Sequence, residues 1–416
     1  MAPRVLLVSA EYPPTPGGVG DYTALLAESL ADIGASVAVL TSPTSGRTLN
    51  EAITVFPVVR RWDWGIARLV REIVKEVRPD ILHLQYQTGM YRMHPAINLL
   101  PGRSPFARGE GYRYAPEIHL RPRFVTTFHD LRPPYLFPKA GPLRRRITYH
   151  LARESDAVIA TNGADARSLQ EWNCTTALIP IGSNIPPAAA RDARAIRARY
   201  AIPAEAALLT TFGLMNQSKG IEAVIDAFAV LRREGTDAHL LLVGAGAGVN
   251  DPTNQATEAA VATRCAAAGL TAFVRKTGQL PAVEVAEALA ASDVCILPYR
   301  DGASPRRGSL LAALAQGIPV VTTTPATGAY DGLPTFRDGE VARCVPAGDA
   351  RAVAEAVQAI RRDDALAARL RVGAAAYAAR YTWPAIAAQT LALYKTLGVV
   401  TAEETVSPVV MSGVER

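Results

Sequence analysis

The chain has 416 residues, 49% of them hydrophobic and 20% charged, which is too long for one ordinary core and points to two domains of about 200 residues each. Its formal net charge of +6 comes overwhelmingly from arginine, a balance that suits anionic substrates or anionic membrane surfaces. The basic residues form no dense run with interleaved aromatics, which argues against a nucleic-acid groove.

Arg4 to Ser9 (RVLLVS) reads as a buried strand of the kind parallel sheets require. In the stretch that follows, Pro13, Pro14 and Pro16 keep the chain extended and Gly17, Gly18 and Gly20 let it turn. Tyr22, Leu25, Leu26, Leu30 and Ile33 then recur at helical spacing. Strand, glycine loop and helix make the first element of a doubly wound fold, whose ligand crevice lies at the carboxyl ends of the strands. The loop is not Gly-x-Gly-x-x-Gly and no acidic residue is suitably placed after the next strand, so a dinucleotide enzyme is disfavoured.

Further strands are expected at Ser36 to Thr41, Thr54 to Val58 and Asp80 to Gln85, with a helix from Trp64 to Val77. His83 and Gln85 alternate toward one face of their strand, and His83 reads as a structural partner at the strand end rather than as a catalyst. The connection Pro101 to Arg123 is longer than usual; its arginines, with Arg144, Arg145 and Arg146, form either a basic acceptor-side surface or a solvated face. Strand Phe124 to Phe128 delivers His129-Asp130 to the crevice, where such a pair can hold a polar ligand group or cap a loop. A helix through Leu151 and strands Ala157 to Thr161 and Ala177 to Pro180 complete this half, and GSNIPPAAARDARAIRARYAIP reads as a polar linker.

From Ala206 the pattern starts afresh: strand Ala207 to Phe212, Gly213, the loop LMNQSKG, and helix Ile221 to Leu231. Strand His239 to Val243 leads into Gly244, Gly246 and Gly248, followed by helix Gln255 to Ala267, strand Phe273 to Thr277 and helix Ala282 to Ala291. Next comes the β-loop-α-β stretch that organises this half: strand Val294 to Leu297, a polar loop with Ser304, Arg306 and Arg307, helix Ser309 to Ala315 closed by Gly317, and a strand from Ile318. The first-turn amides of Gly308, Ser309 and Leu310, together with Arg306 or Arg307, are what a phosphate group needs. An ordinary crossover with a solvated arginine pair is the alternative. Helices Ala350 to Ile360 and Leu366 to Tyr381, a break at Trp383-Pro384, and a terminal helix Ala385 to Leu397 follow, and the last 16 residues read as flexible.

Cys174, Cys265, Cys295 and Cys344 form no Cys-x-x-Cys pair, which favours structural thiols in a reduced protein over a zinc site or a disulfide framework. No apolar run has the length of a signal peptide core or a membrane span, so a cytoplasmic protein, free or membrane-associated, is expected.

Taken together, EYPPTPGGVGDYT, TTFHD, FGLMNQSKGIE, LLVGAG and SDVCILPYRDG followed by AALAQGIPVVTT resemble, in order and spacing, a family 4 glycosyltransferase over about residues 4 to 397. The resemblance implies an α/β fold of GT-B type. Its two facing Rossmann-like domains would span about 1–195 and 196–380, with a terminal helix 381–400 returning to the first and a tail beyond it. It implies transfer of a sugar from a nucleotide-diphosphate sugar to a sugar or lipid-linked acceptor, with retention and without metal or other cofactor. His129 matches the family histidine that contacts the donor sugar, and Lys219 the lysine that neutralises the diphosphate. Gly17, Gly18, Gly213, Gln279, Ser304 and the 306–310 segment are assigned to the donor phosphates; Asp21, His83, Gln85 and Asp130 are assigned to the acceptor side.

The sequence departs from the family pattern at three positions. Ser304 and Ala312 stand where two glutamates eight residues apart are usual, and Leu214 stands where an arginine usually follows the loop glycine. Arg306 or Arg307 is expected to supply the missing charge. The alternatives are a catalytically inactive nucleotide-sugar-binding protein of this fold and a sugar-nucleotide epimerase.

Overall fold

The structure, a computed structural model, describes residues 2–15, 17–43, 51–101, 122–131, 141–189, 192–213, 217–244 and 252–398. The Pro101–Arg123 connection lies mostly outside these residues, as do Leu214, Gly246, Gly248, the terminal 16 residues and the side chain of Arg144.

In chain order the first series is β1 (Arg4–Val8), α1 (Gly18–Asp32), β2 (Ser36–Leu40), β3 (Ile53–Phe56), α2 (Ile66–Val77), β4 (Ile81–Tyr86), β5 (Arg123–Phe128), α3 (Gly141–Glu154), β6 (Ala157–Ala160), α4 (Gly163–Glu171) and β7 (Thr176–Leu178). The second is α5 (Ala193–Arg199), β8 (Ala207–Phe212), α6 (Ile221–Arg233), β9 (Ala238–Val243), α7 (Pro252–Ala267), β10 (Val274–Gly278), α8 (Ala282–Ala290), β11 (Val294–Leu297), α9 (Gly308–Ala315), β12 (Val320–Thr323), β13 (Arg343–Val345), α10 (Ala350–Arg362) and α11 (Asp364–Ala378). The helix α12 (Trp383–Thr396) ends the described chain. It starts at Trp383 and not beyond Pro384, because proline is tolerated in a first helical turn, where its missing N–H has no partner to lose.

Two compact units result. One comprises Met1–Thr161, Asp165–Ile179 and Trp383–Arg416, the other Asn162–Ala164 and Pro180–Thr382. Residues 180–195, expected in the first half, belong to the second: Ile185 and Ile196 are buried in its core, so the apparent linker carries apolar anchors.

The first unit is built on a seven-stranded parallel sheet in the order β3-β2-β1-β4-β5-β6-β7. Strand alternation splits its residues between two faces. Leu82, Leu84 and Tyr86 of β4 join the cluster formed with Leu6, Val8, Phe124 and Val158. His83 and Gln85, both completely buried, fall on the other face. The helices α1 and α12 pack together in this unit. His83 ties α12 to the sheet, with Nδ1 at 2.6 Å from the Tyr394 hydroxyl and Nε2 at 2.7 Å from Thr127 Oγ1.

Burial, with a smaller contribution from His129, pushes the His83 imidazole down to about 3. The unfolded chain therefore binds more protons than the folded one between about 3 and the ordinary 6.5, and this group makes stability fall as pH drops through that window. Tyr394→Phe leaves one buried ring nitrogen unsatisfied. A loss of about 1–3 kcal/mol is expected, read as a lower urea midpoint; an unchanged midpoint would show that the tie contributes nothing.

The second unit has a six-stranded parallel sheet in the order β10-β9-β8-β11-β12-β13. Leu208, Leu241, Cys295 and Val320 face one core, and Leu209, Leu240, Ile296 and Val321 the other. The strand order reverses between β8 and β11, so the chain leaving β8 at Gly213 lies beside the chain leaving β11 at Pro298. In doubly wound sheets that point is the ligand crevice. Among the described residues no helix is long and apolar enough to cross a membrane, and the four cysteines are free thiols.

Candidate active site

In the second unit, a single 3-10 turn, Gln217–Lys219, follows β8 and places Lys219 over the end of β11. Lys219 Nζ donates to Ser309 Oγ at 2.6 Å, and Ser309 Oγ is 2.7 Å from the hydroxyl of Tyr299, which is wholly buried. The Tyr299 ring also carries Lys219 Nζ at 5.3 Å and the Arg307 guanidinium carbon at 4.5 Å from its centroid, a separation at which ring quadrupoles attract cations. Arg307 donates to Ser218 Oγ at 3.3 Å and pairs with Asp301. The Arg300 amide donates to the Ser218 carbonyl at 3.1 Å, and Arg300 pairs with Glu222 at 3.2 Å, so the β11 loop is stitched to the turn that bears Lys219.

Burial pulls the Lys219 ammonium down to about 8; the positive charge of Arg307 adds to this, and Asp301 opposes it. Two cations around one buried ring, with one half-exposed carboxylate beside them, form a site that gains from an incoming anion.

Helix α9 starts here, and its first turn differs from expectation in one amide. Leu310 and Leu311 both donate to the Arg307 carbonyl, at 2.9 and 3.1 Å. The turn is tightened, so Leu310 is not a donor for a ligand, while the amides of Gly308 and Ser309 have no acceptor among the described residues. Ser304 contributes its carbonyl, which accepts from the Arg307 amide at 3.0 Å, and Ala312 is packed in the core. Arg307 supplies contacts that define the group, to the Tyr299 ring and to Ser218. Gln279 is exposed at the end of β10 and enters none of them. Gly213, at φ 123°, comes close to Lys219: a Cβ there would lie 3.1 Å from Nζ.

In the first unit, β5 delivers His129 beside β4. Its amide donates to the Tyr86 carbonyl at 3.0 Å, and its Nε2 lies 3.1 Å from Gln85 Oε1. The ring meets Tyr22 edge-on at 4.7 Å, and Tyr22 meets Trp383 of α12 at 5.2 Å. Burial lowers the His129 imidazole to about 3, so it is neutral at physiological pH. Asp130 accepts from Gln87 Nε2 at 3.4 Å.

His83, assigned to the acceptor side, is corrected: it has no exposed surface and both ring nitrogens are engaged, so it holds α12 and meets no ligand. Gln85 is equally buried and acts on His129. At the start of α1, Gly17 lies against the carboxylate of Glu11, where a Cβ would overlap Oε2, while Gly18 faces open space. Burial, and then the charge of Asp21, pushes the Glu11 carboxyl above its ordinary range.

The family profile described as Glycosyltransferase Family 4 matches residues 16–184, and that described as Glycosyl transferases group 1 matches residues 206–363. The chain belongs to glycosyltransferase family 4. A phosphatidyl-myo-inositol mannosyltransferase of Mycobacterium leprae is 33% identical over 184 residues, a match covering 43% of each chain, so less than half of that relative's length is spanned. D-inositol 3-phosphate glycosyltransferase 1 of Catenulispora acidiphila is 26% identical over 403 residues, 91% of this chain and 91% of that one. Among solved structures, the sucrose-phosphate synthase from Thermosynechococcus elongatus superposes with a TM-score of 0.72 at 21% identity, covering 95% of this chain and 99% of that one. The fold of this family 4 glycosyltransferase is of GT-B type.

Several residues of the candidate site were not singled out from sequence. Tyr299, Asp301 and Ser218 surround Lys219 and Arg307, and Tyr22 and Glu11 shape the first unit's loop. A signal existed for Tyr299 and Asp301, since both stand directly after a buried strand of a doubly wound sheet. Tyr22 carried none, because its helical spacing marks it only as core.

Proposed function

We propose that this family 4 glycosyltransferase transfers a sugar from a nucleotide-diphosphate sugar, with retention of anomeric configuration and without a metal ion, to an acceptor carrying an inositol or similar polyol headgroup. The observation that carries the donor half is the convergence of Lys219, Arg307 and the open amides of Gly308 and Ser309 at the β8/β11 switch point. Relatives named for phosphatidyl-myo-inositol and for D-inositol 3-phosphate support the acceptor class.

In this reading the diphosphate takes the place of Asp301 against Arg307, bonds Lys219 Nζ, and rests on the start of α9. As the bond between the anomeric carbon and the phosphate oxygen breaks, negative charge grows on that oxygen, and the two cations and two amides absorb it. The acceptor hydroxyl forms the new bond on the same face, and its proton passes to the departing phosphate oxygen. No carboxylate nucleophile is needed.

The test is acceptor-dependent release of nucleoside diphosphate from a panel of UDP-, GDP- and ADP-sugars, with D-inositol 3-phosphate or phosphatidylinositol vesicles as acceptor. Turnover that is unchanged in EDTA and yields a product of the donor's anomeric configuration is expected. Failure of all three nucleoside diphosphates to bind, or conversion of the donor in the absence of acceptor, would overturn the proposal.

A further inference from the structure

Gln85 lies opposite Thr127 in the β4–β5 ladder and has no exposed surface. Its Oε1 lies 3.1 Å from His129 Nε2, and in this amide orientation, where the oxygen can only accept, Nε2–H is the donor; the amide nitrogen is buried with no acceptor among the described residues. A leucine or methionine would fill the same space without leaving that donor unmet, so packing does not account for an amide here. The bond to His129 does: with Nε2 protonated and donating, Nδ1 carries the lone pair, and Nδ1 has no partner among the described residues.

The chemistry of the partner matters as much as its position. A carboxylate accepting from the same N–H would also stabilise the imidazolium, while a neutral amide orients the ring and adds no charge. Around the ring stand Tyr22 of α1, in edge-on ring contact and with its hydroxyl pushed up by burial, and His83 of β4, held neutral between Thr127 and Tyr394 of α12. Asp130 is the adjacent residue, and its carboxylate is turned to Gln87. Burial holds the His129 imidazole far below its ordinary range.

We propose that Gln85 is a positioning residue that locks His129 in the neutral, Nε2-protonated tautomer, presenting Nδ1 as a hydrogen-bond acceptor for a hydroxyl of the bound sugar. His129 on this account binds and orients and does not carry a proton during transfer. The sugar half rests on the function proposed above; the tautomer half stands on the protein alone.

The test uses the full chain labelled with nitrogen-15 in histidine, with His129→Asn to assign the resonances. In the native protein, His129 is expected to show one protonated Nε2 and one unprotonated Nδ1, with no titration between pH 8 and 5. Gln85→Glu should bring its titration into that range, since a carboxylate would stabilise the charged ring. Gln85→Met should mix the tautomers and lower kcat/KM by about 10- to 100-fold, with a Tm unchanged or raised because an unmet buried donor is gone. A native His129 that titrates near neutrality, or a Gln85→Met protein with native imidazole resonances, would overturn the proposal. Absence of any transferase activity in the native chain would count against the donor reading alone, because the resonances are read without substrate.

Discussion

Lys219→Ala is expected to weaken nucleoside-diphosphate binding by about 100-fold and to lower turnover by on the order of 10²–10³-fold, the range seen when one preorganised donor to a developing anion is removed. Lys219 is half-buried, its Nζ fixed at 2.6 Å on Ser309 Oγ and sharing the Tyr299 ring with Arg307, so its charge is screened less than that of a fully solvated lysine. Arg307→Ala should weaken binding by about 1.5–3 kcal/mol, the value of one charge-assisted contact.

The same burial gives a pH signature whose two halves run in opposite directions. With Lys219 lowered from 10.5 to about 8 in the folded protein, the unfolded chain binds more protons between those values. This group therefore makes stability rise with pH through that window. Diphosphate affinity should fall over the same range, because above about 8 the ammonium loses its proton. Calorimetry with UDP or GDP at several pH values, beside denaturant melts of the free protein, separates the two. Lys219→Met should flatten both curves and leave the free protein no less stable. Affinity that does not change between pH 7 and 9.5 would remove Lys219 from the diphosphate site.

Gly220→Ala should have the second large effect. Gly220 caps α6 in the left-handed region at φ 66°, and a Cβ there would overlap the carbonyl oxygen of Pro298, the residue before Tyr299. The left-handed conformation alone costs a residue with a side chain about 1–2 kcal/mol. The overlap is with backbone, which cannot rotate away, so the β11 loop must move and carry Tyr299 with it. A total loss of about 3 kcal/mol is expected, together with loss of diphosphate binding that stability alone does not explain. Gly235→Ala is the control: its φ is 82°, but nothing lies within 4 Å of its would-be Cβ, so only the conformational term applies. Equal urea midpoints for the two variants would show that the Pro298 contact does not constrain the loop.

Legibility in the sequence followed the strength of local periodicity. Strands such as Arg4–Val8, Ala207–Phe212 and Val294–Leu297, and helices such as Ile66–Val77 and Ile221–Arg233, lie within a few residues of expectation because apolar runs and helical spacing mark them. The helices Gly163–Glu171 and Ala193–Arg199 and the strand Arg343–Val345 were missed. Each is short and carries few buried apolar residues, Ala166 and Leu169 in the first, Ile196 in the second and Val345 in the third. What holds such segments is contact with distant parts of the chain, which no local pattern records.

The amino-acid order by itself determined the two strand-glycine-helix series, the family, and the identity of the residue types that could hold a diphosphate, Lys219 and an arginine near Gly308. Only the tertiary structure decided that Arg307 joins Lys219 on the Tyr299 ring, that the Leu310 amide is closed back on its own helix, and that His83 braces α12 while Gln85 holds His129. The physical reason is distance along the chain. Lys219 and Ser309 are 90 residues apart and His83 and Tyr394 311 apart, and they meet only because parallel sheets with crossover helices bring separate strand ends together, where burial then sets which protons each group keeps.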